Sequence, residues 1–179
     1  EGADEIYSIS VYDGHTLFAA PVDRQESNFS REEWREAFQV MVNRCPQLRG
    51  HNLGADLLAL FRFGVRPPKF MRLNDSLTWA RSVWENDPDR TLETITVTHL
   101  GLEDYAEEIK PWKAKDPSSF GSTTPLEILL PYNAGDSFAS WELLHSLEET
   151  VPWSLMSLMM ESLYSLILAT WDGQFVSGA

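Results

Sequence analysis

The fold is decided by the first apolar segment, EIYSISVYDGHTLFAA, which spans Glu5 to Ala20. Two β-prone runs, Glu5 to Val11 and His15 to Ala20, flank the pair Asp13-Gly14. Asp-Gly is favoured in tight hairpin turns, where both central residues take positive φ. The segment therefore predicts an N-terminal β-hairpin, so the chain begins with adjacent antiparallel strands.

Helical patterns dominate the sequence after this hairpin. Ser30 and Glu33 have the spacing of a capping box, and apolar residues at helical spacing follow, so we predict a helix from Arg31 to Arg44. Further helices are predicted at Leu53 to Phe63, after Asp75, at Ser137 to Leu147 and from Trp153 to about Ala169.

Two later segments have the composition of strands. Thr91 to His99 alternates threonine with apolar residues, which is typical of a strand with one wet face, and Leu126 to Leu130 is a short apolar run. We therefore predict a single α+β domain over residues 1–179, with a small, mostly antiparallel sheet. That sheet would contain the N-terminal hairpin and the strands 91–99 and 126–130, and it would pack against four or five helices.

The aromatic residues are the predicted core. Hydrophobic residues make up 43% of the chain and seven residues are tryptophan, so the composition is that of a folded domain rather than a disordered one. Because large aromatic side chains dominate core energetics, the core is predicted to contain Trp34, Phe38, Trp79, Trp84, Trp141 and Trp153.

The charge of the chain limits its partners. With 27 acidic residues against 14 basic ones, the formal net charge is -13, which opposes binding to the phosphates of a nucleic acid. A basic protein is the expected partner. We predict a non-catalytic protein-binding domain, such as an inhibitor, an immunity-type antagonist or an adaptor. Its acidic face would contain Glu85, Asp87, Asp89, Glu103, Asp104, Glu107 and Glu108.

Cysteine content and hydropathy indicate a location in the cytoplasm. Cys45 is the only cysteine, and the first thirty residues lack a secretory signal pattern. The most apolar helix, Trp153 to Ala169, is interrupted by Glu161 and by serines, which argues against a membrane span. This helix is predicted to be either a central core helix or a Met-rich face for a partner.

Catalytic motifs are weak. Cys45, His51 and Asp56 have the residue types of a thiol nucleophile, its base and an orienting carboxylate, but a cysteine on an apolar helix stripe favours a structural role. Ser137 and His145 lie too far apart along one helix to form a hydrogen bond. The histidines lack metal-ligand spacing and no phosphate-binding glycine loop occurs, so we expect no metal and no cofactor.

One faint resemblance supports an enzyme alternative. The segment Ser30 to Arg49 resembles the opening helix of condensation-type acyltransferases, and Leu126 to Leu144 is similar to their strand, loop and helix. Those enzymes carry HHxxxDG after the strand, whereas this chain has PYNAGD at residues 131–136, without a histidine. No catalytic residue therefore transfers. The alternatives to a binding domain are an acyltransferase-like enzyme with a site assembled across the fold and a scaffold subunit of a larger complex.

Overall fold

The computed structural model describes residues 5–68, 71–117 and 119–176. Within these residues, most of the structure is helical and the strands form two small sheets. The strands are β1 (Ser8–Tyr12), β2 (Leu17–Pro21), β3 (Gln47–Gly50) and β4 (Arg72–Asp75). The α-helices are α1 (Arg31–Arg44), α2 (Leu53–Arg62), α3 (Ser76–Val83), α4 (Leu92–Ile95), α5 (Lys110–Lys115), α6 (Phe120–Thr123), α7 (Leu126–Thr150) and α8 (Trp153–Val176). A π-helical turn (Thr96–Leu100) follows α4, and a 3-10 turn (Glu107–Ile109) precedes α5.

The N-terminal hairpin is confirmed. β1 and β2 pair antiparallel, with Ile9 opposite Ala20. The turn differs from the predicted one, because it spans four residues, Asp13 to Thr16, and only Gly14 of the pair has a positive φ, +91°. Glycine adopts this conformation without the strain of a Cβ atom. Both strands lie against α7, and Ser10 on β1 donates a hydrogen bond of 2.6 Å to the backbone carbonyl of Asn133.

The second sheet was not predicted. β3 and β4 pair parallel, with Leu48 opposite Leu73, and α2 lies between them in the chain. The buried carboxylate of Asp75, at the end of β4, accepts hydrogen bonds from the backbone N–H groups of Asn52, Leu53, Leu77 and Thr78. One side chain thus caps both α2 and α3, satisfying N–H groups that have no partner within those helices.

The predicted first helix is confirmed in its bounds and its cap. Ser30 Oγ accepts from the backbone N–H of Glu33, while the Glu33 carboxylate accepts from that of Ser30. The helix buries Trp34 and Phe38 and ends at Cys45, before Pro46. The predicted helix after it matches α2.

The predicted strand over Thr91 to His99 is wrong. This segment contains α4 and the π-helical turn, and the Thr91 side chain caps α4 by accepting from the N–H of Thr94. The buried residues of the segment, Leu92, Ile95 and Thr96, have helical spacing. Burial of that stripe outweighs the β-propensity of the threonines.

The predicted strand over Leu126 to Leu130 is also wrong, because α7 begins at Leu126 and continues to Thr150. The strand, loop and helix implied by the acyltransferase resemblance are therefore absent between Leu126 and Leu144. Pro131 lies inside α7 and cannot donate to the carbonyl of Glu127, but both residues are exposed, so water can reach that carbonyl.

The α+β class with an N-terminal hairpin is confirmed, but the detail differs from the prediction. In the part of the chain that the structure describes, the hairpin stays two-stranded and the second sheet is parallel. Eight α-helices occur there rather than four or five, because both later strands are helical and α5 and α6 occupy a segment with loop composition.

The core of the described residues has three clusters: one under the hairpin, one between α3, α4, α7 and α8, and a small one of Ala106, Ile109 and Leu129. Trp34 and Phe38 belong to the first cluster and Trp79 to the second, as predicted. Three of the predicted core aromatics are less buried: Trp84 and Trp141 are half-buried, and Trp153 is 43% exposed. Trp153 is the first residue of α8, where fewer neighbouring turns cover a side chain.

Helix α8 is both a core helix and a partly exposed one. It buries Met156, Met160 and Tyr164 against the rest of the molecule, while Leu158 and Leu166 remain about two-thirds exposed at 66% and 65%. Among the described residues, no helix combines the length and apolarity needed to cross a bilayer.

Candidate functional site

A partly enclosed cavity of about 1110 Å³ lies between the hairpin and the surrounding helices. Side chains of β1, α1, β3, α2, α4 and α7 form its wall. Protein interiors contain few voids larger than a water molecule, so a space of this size is an exception to normal packing. Its volume is close to the upper limit of roughly 1000 Å³ that is usual for sites of small organic molecules.

One part of the cavity wall is apolar. It is formed by side chains from β1, α1 and α2, which also belong to or pack against the core cluster under the hairpin. These residues are Ile9, Phe38, Met41, Val42 and Leu60. They provide a surface for the hydrocarbon part of a bound molecule.

Asp56 brings a carboxylate to this cavity from α2, between Leu53 and Leu60. The side chain is exposed to solvent in the cavity, and the protein atoms around the cavity reduce the hydration of its charge. Burial, together with the negative charges of Asp75 and Asp136, raises the pKa of Asp56 to about 6. The carboxylate is therefore mostly ionised at neutral pH, although its surroundings disfavour the charge.

Asp136 contributes a second carboxylate to the cavity, from the middle of α7. It lies ten residues into the helix and accepts a hydrogen bond of 2.7 Å from the Tyr105 hydroxyl. Burial raises the pKa of Asp136 to about 6, against the opposing effect of the hydrogen bond from Tyr105. Gly135 makes room for the Tyr105 ring, since a Cβ atom there would lie 2.3 Å from it.

A charged network extends the polar wall next to Asp136. Lys113 Nζ donates to the Glu93 carboxylate at 3.0 Å and to the Tyr132 hydroxyl at 2.6 Å, and Tyr132 donates to Glu93. Burial alone would raise the pKa of Glu93, but hydrogen bonds from its own backbone N–H and from Lys113 outweigh burial and lower it. These groups satisfy one another, so they form a rigid polar surface.

His51 lines the cavity but is held as a neutral structural residue. Its Nε2 lies 3.1 Å from the carbonyl of Arg90, which can only accept, so Nε2 carries the proton and Nδ1 accepts from Ser76 Oγ at 2.9 Å. Burial lowers the pKa of His51, against the raising effect of Asp75. Ser76 is fully buried, so this serine–histidine pair has no access to a substrate.

The candidate triad of Cys45, His51 and Asp56 lines one cavity without forming a relay. Cys45 Sγ donates to the carbonyl of Gln47 at 2.7 Å, and both ring nitrogens of His51 have other partners. Ser137 also lines the cavity and lies 2.6 Å from Ser10 Oγ, while His145 is exposed on α7. Cys45 and Ser137 therefore form their hydrogen bonds with groups other than His51 and His145.

The predicted acidic face lies mostly at the surface. Glu85, Glu103, Glu107 and Glu108 are exposed, whereas Asp87, Asp89 and Asp104 already have partners. Asp87 accepts from His99, whose ring stacks on Trp84 with centroids 3.9 Å apart. Asp89 accepts from Thr94, and Asp104 pairs with Lys110.

Comparison with protein-family models, with curated proteins and with solved structures finds no significant match to this chain. Within the described residues, no group of three histidine, cysteine or carboxylate side chains has the arrangement of a metal site. The cavity and the side chains that line it are therefore the features that indicate a function.

The sequence analysis did not predict that Asp56 and Asp136 line a cavity, although both lie at helical spacing from buried residues. Asp56 lies three residues after buried Leu53 and four before buried Leu60. Asp136 precedes the buried residues Ala139, Ser140 and Leu143 by three, four and seven positions. A carboxylate on the buried face of a helix indicates a partner or a cavity.

Proposed function

We propose that this chain is a binding domain for a small organic molecule, which it holds in the central cavity. The observation that supports this proposal is the cavity itself, with about 1110 Å³ between the hairpin, α2 and α7. An apolar wall with a few converging polar groups is the usual composition of such sites, because apolar surface provides affinity and polar groups provide orientation.

Hydrogen bonds hold one side of the cavity wall in place, which favours binding over collapse. Ser10 on β1 donates to the carbonyl of Asn133 at 2.6 Å, and the Asn133 amide donates to Ser8 Oγ at 3.0 Å. These bonds hold the hairpin against α7 on one side of the space. A preformed site loses less conformational entropy on binding than one that must first be ordered.

The test uses a probe and two matched variants of α2. Ala59 lines the cavity, whereas Ala55 lies on the exposed face of the same helix. Nile red, a neutral dye that fluoresces in apolar surroundings, should bind the parent. Ala59→Trp should weaken this binding at least tenfold, about 1.4 kcal/mol, by filling the space, while Ala55→Trp should change it less than twofold.

Two results would contradict the proposal. One is an absence of saturable Nile red binding to the folded parent. The other is equal binding by Ala59→Trp and Ala55→Trp, since it would place the dye at the surface. Circular dichroism spectra of both variants establish that each remains folded.

A second proposal is that the acidic face docks a basic protein. One observation favours this proposal. The His99 ring stacks on Trp84 and donates a hydrogen bond to Asp87, so the segment after α3 lies against the segment that leads to Glu103. A depression of about 420 Å³, formed by residues 82–87, lies beside this contact. The excess of acidic residues, 27 against 14, favours a protein rather than a nucleic acid.

Charge reversal tests the acidic face with a matched control. Polylysine should associate more slowly with Glu103→Lys/Glu107→Lys/Glu108→Lys than with Glu36→Lys/Glu127→Lys/Glu161→Lys, which has the same net charge and also reverses exposed residues. The difference should shrink at high salt, because salt screens exposed charges beyond roughly 10 Å at 0.1 M. Equal association rates would contradict a localised docking face.

The cytoplasm is the compartment that we propose for this function. With Cys45 as the one cysteine of its 179 residues, the chain has no internal disulfide to stabilise it. Reducing conditions keep such a thiol free. A thiol titration on protein taken directly from lysed cells would test this assignment.

A further inference from the structure

Asp56 differs from the other carboxylates that line the cavity. Within residues 5–68, 71–117 and 119–176 it accepts no hydrogen bond and forms no ion pair. Each of the other carboxylates of the cavity wall accepts at least one hydrogen bond; these are Asp13, Asp89, Glu93 and Asp136. Asp75, the nearest comparable carboxylate on β4, instead accepts four backbone hydrogen bonds.

Three of the four lysine and arginine side chains of the cavity wall have partners other than Asp56. Arg49 pairs with Glu148 at 3.0 Å, and Lys113 pairs with Glu93. Arg90 donates to the backbone carbonyl of Glu85 through a terminal nitrogen, while its buried Nε has no hydrogen-bond partner among the described residues. Arg81 is exposed and has no hydrogen-bond partner among those residues, and its charge acts on His51 and not on Asp56. The charges that act on Asp56 are both negative, those of Asp75 and Asp136.

This arrangement has the chemistry of a cation site next to an apolar surface. A protonated primary amine has three N–H donors and one positive charge. It would therefore supply both the hydrogen-bond donor and the counter-charge that the Asp56 carboxylate does not have. Charge-assisted hydrogen bonds to a carboxylate are about twice as strong as neutral ones. The apolar residues Leu53, Ala59 and Leu60 flank Asp56 on α2, so hydrocarbon attached to the amine would be covered as well.

We propose, on the premise that the cavity is a ligand site, that its ligand is an amphipathic organic amine whose nitrogen binds the Asp56 carboxylate. The hydrocarbon part of the amine packs against the apolar wall formed by α1 and α2. Asp136 adds a negative potential from α7 without direct contact being required, since its carboxylate already accepts from Tyr105.

The experiment compares two probes of equal length, n-octylamine and 1-octanol, as competitors of Nile red at pH 7.5. Octylamine should bind the parent about 10- to 100-fold more tightly than octanol, the range that corresponds to one hydrogen bond to a charged group. Asp56→Asn should remove most of this preference. Its affinity for octanol should change less than twofold, because the cavity volume is unchanged.

Asp13→Asn is the matched control. Asp13 also lines the cavity, but it lies in the hairpin turn, where asparagine keeps an oxygen acceptor for the N–H groups of His15 and Thr16. The same loss of one negative charge at this position should leave the preference for octylamine intact.

The outcomes separate the two claims. If the parent binds both probes equally, or if Asp56→Asn keeps the preference for octylamine, the amine assignment is wrong while the cavity remains a ligand site. If neither probe displaces bound Nile red from the parent, the amine assignment is likewise wrong, whereas an absence of saturable Nile red binding to the parent would contradict the ligand-binding function itself. The comparison of probes on the parent needs no variant, so misfolding of Asp56→Asn would not prevent a decision.

Discussion

The two halves of α7 lie in different surroundings although they form one continuous helix. In its C-terminal half, Leu143 and Leu144 are fully buried against Trp79 and other residues of α3, α4 and α8. In its N-terminal half, Asn133 and Asp136 face the cavity under the hairpin. On the inward face of α7, polar residues therefore occur where close packing ends and the cavity begins.

Removal of Trp79 should have the largest effect, because it tests the packed half. Its side chain is fully buried, and its indole N–H donates to Asn74 at 2.7 Å. Trp79→Ala should lower the free energy of unfolding by about 3–5 kcal/mol, measured by urea denaturation. Trp153→Ala is the control and should cost far less, because Trp153 is 43% exposed. Equal losses would show that burial does not distinguish these positions.

Gly135 tests how tightly the cavity half is built. Gly135→Ala would force the Tyr105 ring away and break its hydrogen bond to Asp136. Overpacking should outweigh the gain in helix propensity, so we expect a loss of about 1–2 kcal/mol in thermal unfolding.

Gly54→Ala on α2 is the matched control for Gly135→Ala. Its new Cβ atom would meet Ile167 at an ordinary 3.8 Å, so this variant should gain about 0.5–1 kcal/mol. If the two variants shifted in the same direction, the close contact of Gly135 with Tyr105 would not determine stability.

Asp56→Asn should have a smaller effect on stability than Trp79→Ala and Gly135→Ala, and a stabilising one. The carboxyl has a pKa of about 6 in the folded chain and its ordinary value of 3.8 when unfolded. Between these values the folded state holds a proton that the unfolded state has lost, so the carboxylate reduces stability as pH rises and does so fully above pH 6.

Because the surface of Asp56 facing the cavity is hydrated, we expect a gain of about 1 kcal/mol at pH 7.5, or about 2–4 °C in melting temperature. The two proteins should melt nearly together at pH 4, where the folded carboxyl is protonated. A variant that is less stable than the parent at pH 7.5 would mean that Asp56 has a stabilising partner.

The sequence predicted correctly those elements whose ends are defined by a local cap or turn. The Asp13-Gly14 pair and the Ser30–Glu33 capping box fixed the hairpin and α1 correctly, because those interactions are short-range. Thr91 to His99 was predicted wrongly because β-branched residues suit a strand locally, whereas contacts with α7 select the helix. The parallel β3–β4 pair was not predicted because it joins Leu48 to Leu73 across α2, and no local pattern indicates that contact.

The site was less predictable than the fold. The residue types of Cys45, His51 and Asp56 suggested a catalytic group, and all three line one cavity. They form no hydrogen bond with one another, because Cys45 donates to Gln47 and His51 bonds to Ser76 and Arg90. Asp56 has no hydrogen-bond partner among the described residues. A cavity forms where several helices and strands leave space between them. The spacing of residues within one helix can place a side chain next to buried neighbours, but it does not show whether the other elements leave such a space.

The most direct test of the account is a crystal structure of the chain grown with n-octylamine. We expect the hydrocarbon chain to lie in the cavity between α1 and α2, with its nitrogen about 2.8 Å from an Asp56 carboxylate oxygen. A cavity closed by repacked side chains, or octylamine found only on the molecular surface, would contradict the account.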